Sequence, residues 1–302
     1  IVLLAGAVVA SSGQQTIRVG VDAVHVDALV TERGRPIQGL TAADFLLLDN
    51  GVPQEVQSAS MQDVPISLML AFDASESVAD HVADLRAAAR AALSTLDTRD
   101  RASILSFSEV VDLRVPWTGD LGSVSRELST LTAQGGTALY DGACAALTLK
   151  DAAPGRRSLL ILFSDGADTW SWLPPSAVSD KARRTDLVVY TVGLRRMLKM
   201  RQNVMAEHLM YRSGIELFPG VRPPMTAQAF LEELADTTGG RTYLADDTPA
   251  LRTEFEKIVR EFRTRYVLTY MPDGVQPDGW HRIEVKLKNR RGDVTARRGY
   301  ER

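Results

Sequence analysis

Cysteine is nearly absent. Cys144 is the only one in 302 residues, so no disulfide can form within the chain. It stands among Ala143, Ala145, Ala146 and Leu147 in a predicted helix, where a small buried hydrophobe is its expected role. Histidine is scarce as well, with four residues, and no H-E-x-x-H, G-x-S-x-G, phosphate-binding loop or Cys–His pairing occurs. An excess of charge of one sign is missing too: 35 basic residues face 38 acidic ones. That balance argues against nucleic acid as a partner, which would demand a strongly basic face. A basic bias after His281 (Lys286, Lys288, Arg290, Arg291, Arg297 and Arg298 among others) reads as the solvated face and charged edge of a sheet rather than an anionic-surface contact.

Long apolar runs are also lacking. Ile1 to Ala10 is apolar, but a helical membrane span needs roughly 20 such residues. Followed by Ser11-Ser12-Gly13, this run has the form of the apolar region and cleavage zone of a secretory signal. Residues 1–15 are therefore expected to be the remnant of a signal, the chain beginning inside it. A lipoprotein anchor would place a cysteine where Ala7 or Ala10 stands. The expected location is outside the cytoplasmic membrane, in the periplasm or the medium, with no transmembrane segment.

What is present begins with Asp73-Ala74-Ser75-Glu76-Ser77, directly after the apolar run Ile66 to Phe72. The pattern sets one carboxylate and two hydroxyls at the carboxyl end of a predicted buried strand. Oxygen donors on one side of a loop suit a hard cation such as magnesium, which takes oxygen ligands in near-octahedral array and keeps several waters. Two later segments share this style. Gly135-Gly136-Thr137 puts a threonine between a flexible glycine pair and a helical stretch, and Leu159 to Phe163 ends a second apolar strand in Ser164-Asp165-Gly166. Taken singly, each also has the composition of an ordinary turn.

In this order the three pieces resemble the metal-ion-dependent adhesion site of von Willebrand factor type A domains. The resemblance implies a metal-ligand set of Asp73, Ser75, Ser77, Thr137 and Asp165. In that family the hydroxyls hold the ion, and the aspartates bind mostly through water or complete the shell. Magnesium is the implied ion, with manganese and calcium as alternatives.

The order of elements points to the same fold. After the strand Ile66 to Phe72, the segment Asp80 to Leu96 carries Val82, Leu85, Ala89, Ala92, Leu93 and Leu96 at helical spacing. Ala102 to Phe107 reads as a strand, Val110 to Val115 as an edge or antiparallel strand, and Leu121 to Leu131 and Thr137 to Leu149 as helices. Ser158 to Phe163 is a buried strand, Ala177 to Arg184 a short helix and Leu187 to Val192 a strand. A helix with Phe230, Leu231 and Leu234 on one face stops at Gly239-Gly240. The strand Arg241 to Leu244 follows, then Thr248 as N-cap with Pro249 at the first helical position, and a helix burying Leu251, Phe255, Ile258, Val259 and Phe262. Such alternation predicts an α/β fold with a doubly wound, mostly parallel sheet.

The flanks carry strands and hairpin turns without a long helix. Neither buries a sufficient core alone. They are expected to pair into one small β-sandwich, 16–62 with 264–302, and to carry the α/β domain at 63–263 as an insertion. The stretch Gly39 to Phe45, the cation motif and the ending Arg297-Arg298-Gly299-Tyr300 together resemble the VWFA-related proteins common in acidobacteria. That likeness implies the architecture and leaves the ligand open. Within the α/β domain, 194–225 is far longer than a usual connection of about four to six residues. It holds five methionines among arginines and reads either as a lid at the metal rim or as an added helix and hairpin.

The expected function is a binding module, not an enzyme: a protein partner offers an Asp or Glu side chain to the cation. One competing class is a structural module in which the ion only ties three loops together. Another is a metal-dependent hydrolase, for which Glu76, His81, Asp141 or Asp168 would have to serve as base, none at a catalytic spacing. Arg291-Gly292-Asp293 reads as hairpin residues between strands. The alternative, self-association through Asp293 filling the metal position of a neighbouring copy, has no support in the sequence.

Overall fold

A computed structural model describes residues 23–61, 64–165, 168–194, 226–245 and 247–302. The expected signal remnant at 1–15, and the 194–225 insertion beyond Leu194, lie outside the described residues. The first flank contains β1 (Val24–Glu32), β2 (Arg35–Pro36), β3 (Phe45–Asp49), β4 (Val52–Gln54) and β5 (Val56–Ser60). The middle alternates through β6 (Ile66–Asp73), α1 (Val82–Leu93), β7 (Arg101–Phe107), β8 (Val111–Thr118), α2 (Leu121–Glu127), α3 (Leu139–Thr148) and β9 (Arg157–Phe163). It continues with α4 (Pro175–Arg184), β10 (Val188–Leu194), α5 (Ala227–Thr238), β11 (Thr242–Ala245) and α6 (Thr248–Arg263). The last flank holds β12 (Tyr266–Tyr270), β13 (Trp280–Leu287), β14 (Asp293–Ala296) and β15 (Gly299–Glu301).

The middle elements form a six-stranded sheet ordered β11-β10-β9-β6-β7-β8. All neighbours are parallel except β7 and β8, which run antiparallel. Its central strands are near-continuous apolar runs because both faces are covered. Alternate residues of β6 point to opposite faces: Leu68, Leu70 and Phe72 pack with Leu85 of α1 and Phe255 and Ile258 of α6. Met69 and Ala71 pack on the other side with Leu139 of α3, Val178 of α4 and Phe230 of α5. From β6 the chain builds outward through β7 and β8, then returns to place β9 on the opposite edge of β6. Strand order thus reverses between β6 and β9. Ligand crevices of open α/β sheets lie at such a reversal, beyond the carboxyl ends of the strands.

Several boundaries differ from the sequence expectation, each for a tertiary reason. The helix expected from Asp80 opens as a 3-10 turn over Glu76–His81 before α1 begins at Val82. The helix expected from Thr137 starts at Leu139, because the Thr137 N–H and carbonyl are bonded to the 169–170 loop. The expected N-cap, Thr248, is already helical; Asp247 is the cap, its carboxylate accepting the Ala250 N–H at 3.0 Å. Cys144 is half-buried, not buried, at the margin of the core under α3. Gly239 does stop α5 in the left-handed region, φ 81°. Its neighbour has a further job: a Cβ on Gly240 would lie 1.8 Å from the Val189 carbonyl oxygen, so only glycine lets this turn close against β10.

The flanks make two more sheets, ordered β14-β1-β12-β5 (with β2 on β1) and β15-β13-β3-β4. Both mix strands from the two ends of the chain: β1 pairs with β12 and β14, and β3 pairs with β13. Val26, Ala28, Val30, Phe45, Leu47, Leu268 and Ile283 fill one shared core. A polar cluster sits inside it, where the His281 ring nitrogen lies 2.9 Å from the Asp49 carboxylate, which also accepts the Tyr270 hydroxyl at 2.8 Å. Arg265, fully buried between α6 and β12, joins these sheets to the α/β body. Its guanidinium donates to the Tyr190 hydroxyl (3.1 Å) and to the carbonyls of Asp27 (3.1 Å), Gly239 (2.6 Å) and Thr295 (3.3 Å).

Candidate metal centre

The site is assembled from three loops at the carboxyl ends of β6, β7 and β9. After Asp73 the chain stays in register with β7 for one more residue, the Ala74 N–H donating to the Phe107 carbonyl at 2.8 Å. It then folds back, and the Ser75 N–H donates to the Asp73 carboxylate at 3.0 Å in a local Asx turn. This turn brings the Ser75 and Ser77 hydroxyl oxygens to 2.9 Å.

Two backbone bonds dock the glycine loop onto that turn, from the Glu76 N–H to the Gly135 carbonyl (3.0 Å) and from the Gln134 N–H to the Ala74 carbonyl (2.8 Å). Gly135 takes φ +77°, and a Cβ there would touch the Glu109 carboxylate at 3.0 Å. That carboxylate accepts the Gly136 N–H at 3.1 Å. Thr137 is clasped from the far side: its N–H donates to the Thr169 hydroxyl (2.9 Å), and its carbonyl accepts the N–H groups of Thr169 (2.9 Å) and Trp170 (3.0 Å).

Asp73, Ser75, Thr137 and Asp165 are buried and Ser77 is half-buried. The Ser164 hydroxyl donates to the second Asp73 oxygen at 2.8 Å. Burial, and then the neighbouring Asp165 charge, push the Asp73 carboxyl up to about 6, against partial relief from the Ser75 and Ser164 hydrogen bonds. An acid with a higher pKa in the folded than in the unfolded chain takes up a proton on folding between the two values. Metal-free stability should therefore fall as pH rises from about 4 to about 6, by on the order of 1–3 kcal/mol, and stay at the lower level above. Urea unfolding of the chelated protein across this range checks it. Asp73→Asn should flatten the fall, and an equally steep fall in that variant would contradict the assignment.

All the donors in these loops are oxygens. Among the described residues no group of three His, Cys, Asp or Glu side chains converges, so a soft-metal cluster is not what these loops build. The Ser75–Ser77 oxygen separation of 2.9 Å matches the edge of a magnesium octahedron, about 2.9 Å for bonds of about 2.0–2.1 Å.

Asp168 and Asp141, named in the sequence only as candidate bases, turn out to tie loops together, and their partners carry no local signal. Asp168 accepts the Leu139 N–H (2.9 Å) and the Ser171 hydroxyl (2.5 Å), thereby capping α3 from a distant loop. Asp141 accepts the N–H groups of Trp172 (3.0 Å) and Leu173 (2.9 Å). Glu109, and the bond from the Ser164 hydroxyl to Asp73, follow only from knowing which strands are neighbours.

Residues 68–167 match the family model of the von Willebrand factor type A domain. Among solved structures, a von Willebrand factor type A protein from Catenulispora acidiphila is similar over 89% of this chain and 74% of its own, at 14% identity and a TM-score of 0.52. Proximal thread matrix protein 1 from the mussel byssus, solved with a zinc-occupied MIDAS motif, is similar over 69% of this chain at 13% identity and a TM-score of 0.51. The match spans about half (48%) of that mussel protein. At these identities the likeness is one of fold. No curated protein sequence matches the chain. The family match falls on the strands and loops that build the oxygen-lined rim, and the chain carries a von Willebrand factor type A domain.

Proposed function

We propose that this protein is an exported binding module in which a divalent cation, magnesium first, captures an Asp or Glu side chain of a partner protein. The hydroxyls of Ser75, Ser77 and Thr137 and the carboxylates of Asp73 and Asp165 would hold the ion. The observation that carries this reading is the pairing of two touching serine hydroxyls with two mutually repelling buried aspartates, at the point where strand order reverses. A cation relieves that repulsion. Three of the five donor groups are neutral, so the open side of the ion stays electron-poor and favours an incoming carboxylate over water.

A binding role is favoured over hydrolysis by how the nearby carboxylates are used. Asp141 and Asp168 are committed to backbone N–H groups, and Glu76 points to solvent. We further read the two flanking sheets as a small β-sandwich made of 16–62 and 264–302, of which 16–22 and 62 lie outside the described residues, presenting the A domain expected at 63–263. Location in the periplasm or outside the cell follows from the reading of 1–15 as a secretory signal. No described helix is long and apolar enough to cross a membrane.

The reading is tested with the peptide acetyl-Gly-Asp-Gly-amide, titrated calorimetrically at millimolar concentration. Saturable binding is expected with magnesium, lost with chelator and lost when the peptide Asp is replaced by Asn. Magnesium binding that raises the melting temperature without any peptide binding would instead establish a purely structural ion.

A further inference from the structure

The cation reading leaves unexplained a group of apolar side chains beside it. Trp172 is 91% exposed, Val110 72% and Trp170 53%, and Leu173 is exposed with them. Tryptophan is highly buried on average. Exposed aromatic clusters mark interaction sites, and tryptophan is enriched among the residues that dominate binding energy.

The backbone that carries these side chains is tied to the loops of the candidate site. The Trp170 N–H donates to the carbonyl of Thr137 itself at 3.0 Å. A Cβ on Gly136 would lie 3.4 Å from Trp170 Cε3 and 3.6 Å from Glu109 Cγ, so Trp170 and Glu109 flank that glycine. Val110 follows Glu109 in the β7–β8 turn. Trp172 and Leu173 are held by their N–H groups on the two oxygens of Asp141, in the first turn of α3. The turn is therefore positioned by the protein's own bonds and presents its rings outward, with no aromatic or cationic partner for either ring among the described residues.

Resting on the cation-and-carboxylate reading above, we propose that Trp170 and Trp172 form the second half of the partner site, an apolar platform that selects a polypeptide whose acidic residue is followed by a large apolar one. The occupant is fixed by charge complementarity with the adjacent cation position, which calls for an anionic group on the same ligand. Consecutive Cα atoms are about 3.8 Å apart, and a bend after the acidic residue turns the next side chain, which a fully extended strand would point away, onto the same face. A partner carboxylate on the ion thus carries its next side chains over the rim at Thr137, against the tryptophan turn. The chemistry is a protein segment of the Asp-Phe or Glu-Leu kind.

The test is calorimetric titration of the full chain, with magnesium, using acetyl-Gly-Asp-Phe-Gly-amide, acetyl-Gly-Asp-Gly-Gly-amide and acetyl-Gly-Asn-Phe-Gly-amide. The Asp-Phe peptide should bind about tenfold more tightly than Asp-Gly. Trp172→Ala, at an exposed position, should erase that preference while leaving Asp-Gly binding and magnesium binding unchanged. Equal affinities in the wild type, or a preference that survives Trp172→Ala combined with Trp170→Ala, would overturn the platform and leave the cation reading standing. Asn-Phe binding as well as Asp-Phe, or no peptide binding to the magnesium-loaded protein, would overturn the cation-and-carboxylate reading and the platform with it. Lipid vesicles that bind through Trp172, with no peptide preference, would assign the rings to a membrane surface and also overturn the proposal.

Discussion

Arg265→Met lowers the unfolding free energy of the chain by about 3–5 kcal/mol, from several buried acceptors left without a donor. The side chain is fully buried, and its guanidinium reaches groups from four separate elements: the Tyr190 hydroxyl in β10 and the carbonyls of Asp27 in β1, Gly239 at the end of α5 and Thr295 in β14. Methionine fills much of the volume and satisfies none of these acceptors. Each carbonyl that is left buried without a donor costs about 1–3 kcal/mol, less where the turn can relax toward water. Lysine keeps the charge but cannot fork to several acceptors at once, so Arg265→Lys should recover only part of the loss. Urea unfolding measures both variants. A change below about 1 kcal/mol in Arg265→Met would mean that the flanking sheets and the α/β body are not joined through this residue.

Asp73→Asn should act in two opposite directions. Without metal it removes a buried charge that faces Asp165, and the chain should gain on the order of 1–3 kcal/mol at neutral pH. The hydrogen bonds can persist, because the Ser75 N–H can still reach the amide oxygen and the Ser164 hydroxyl can accept from the amide nitrogen. With metal the same substitution removes one of two carboxylates, so magnesium affinity should fall at least about a hundredfold. Such a trade of stability against function is the signature of a strained functional site. Thermal unfolding with magnesium and with chelator separates the two arms. A variant that is less stable than wild type in chelator, or one that keeps magnesium affinity, would contradict this account of the aspartate pair.

The sheet was legible in the sequence because its cause is local. Buried parallel strands need unbroken apolar runs, and Ile66 to Phe72 and Ser158 to Phe163 are such runs, with helical spacing between them. The Asp73-x-Ser75-x-Ser77 turn was legible for the same reason, since the fold-back on Asp73 closes within two residues. What could not be read depends on groups far apart in the chain. Thr137 is kept out of α3 by bonds to Thr169 and Trp170, and α3 is capped by Asp168; neither bond has a signature near Thr137. Asp247 displaced Thr248 as a cap because both residue types suit the position and only the backbone decides between them. Arg265 carried no pattern at all, as its acceptors are backbone carbonyls brought in by the fold. Trp170 and Trp172 carry no sign of exposure in the sequence, since tryptophan is highly buried on average.

Titration of the metal-free protein with magnesium by calorimetry, repeated on Asp73→Ala, addresses the central claim most directly. Saturable binding at one site per chain, abolished in the variant, is the predicted result. No binding heat in the wild type, or identical isotherms for the two proteins, would contradict it and leave the oxygen-lined rim without a cation.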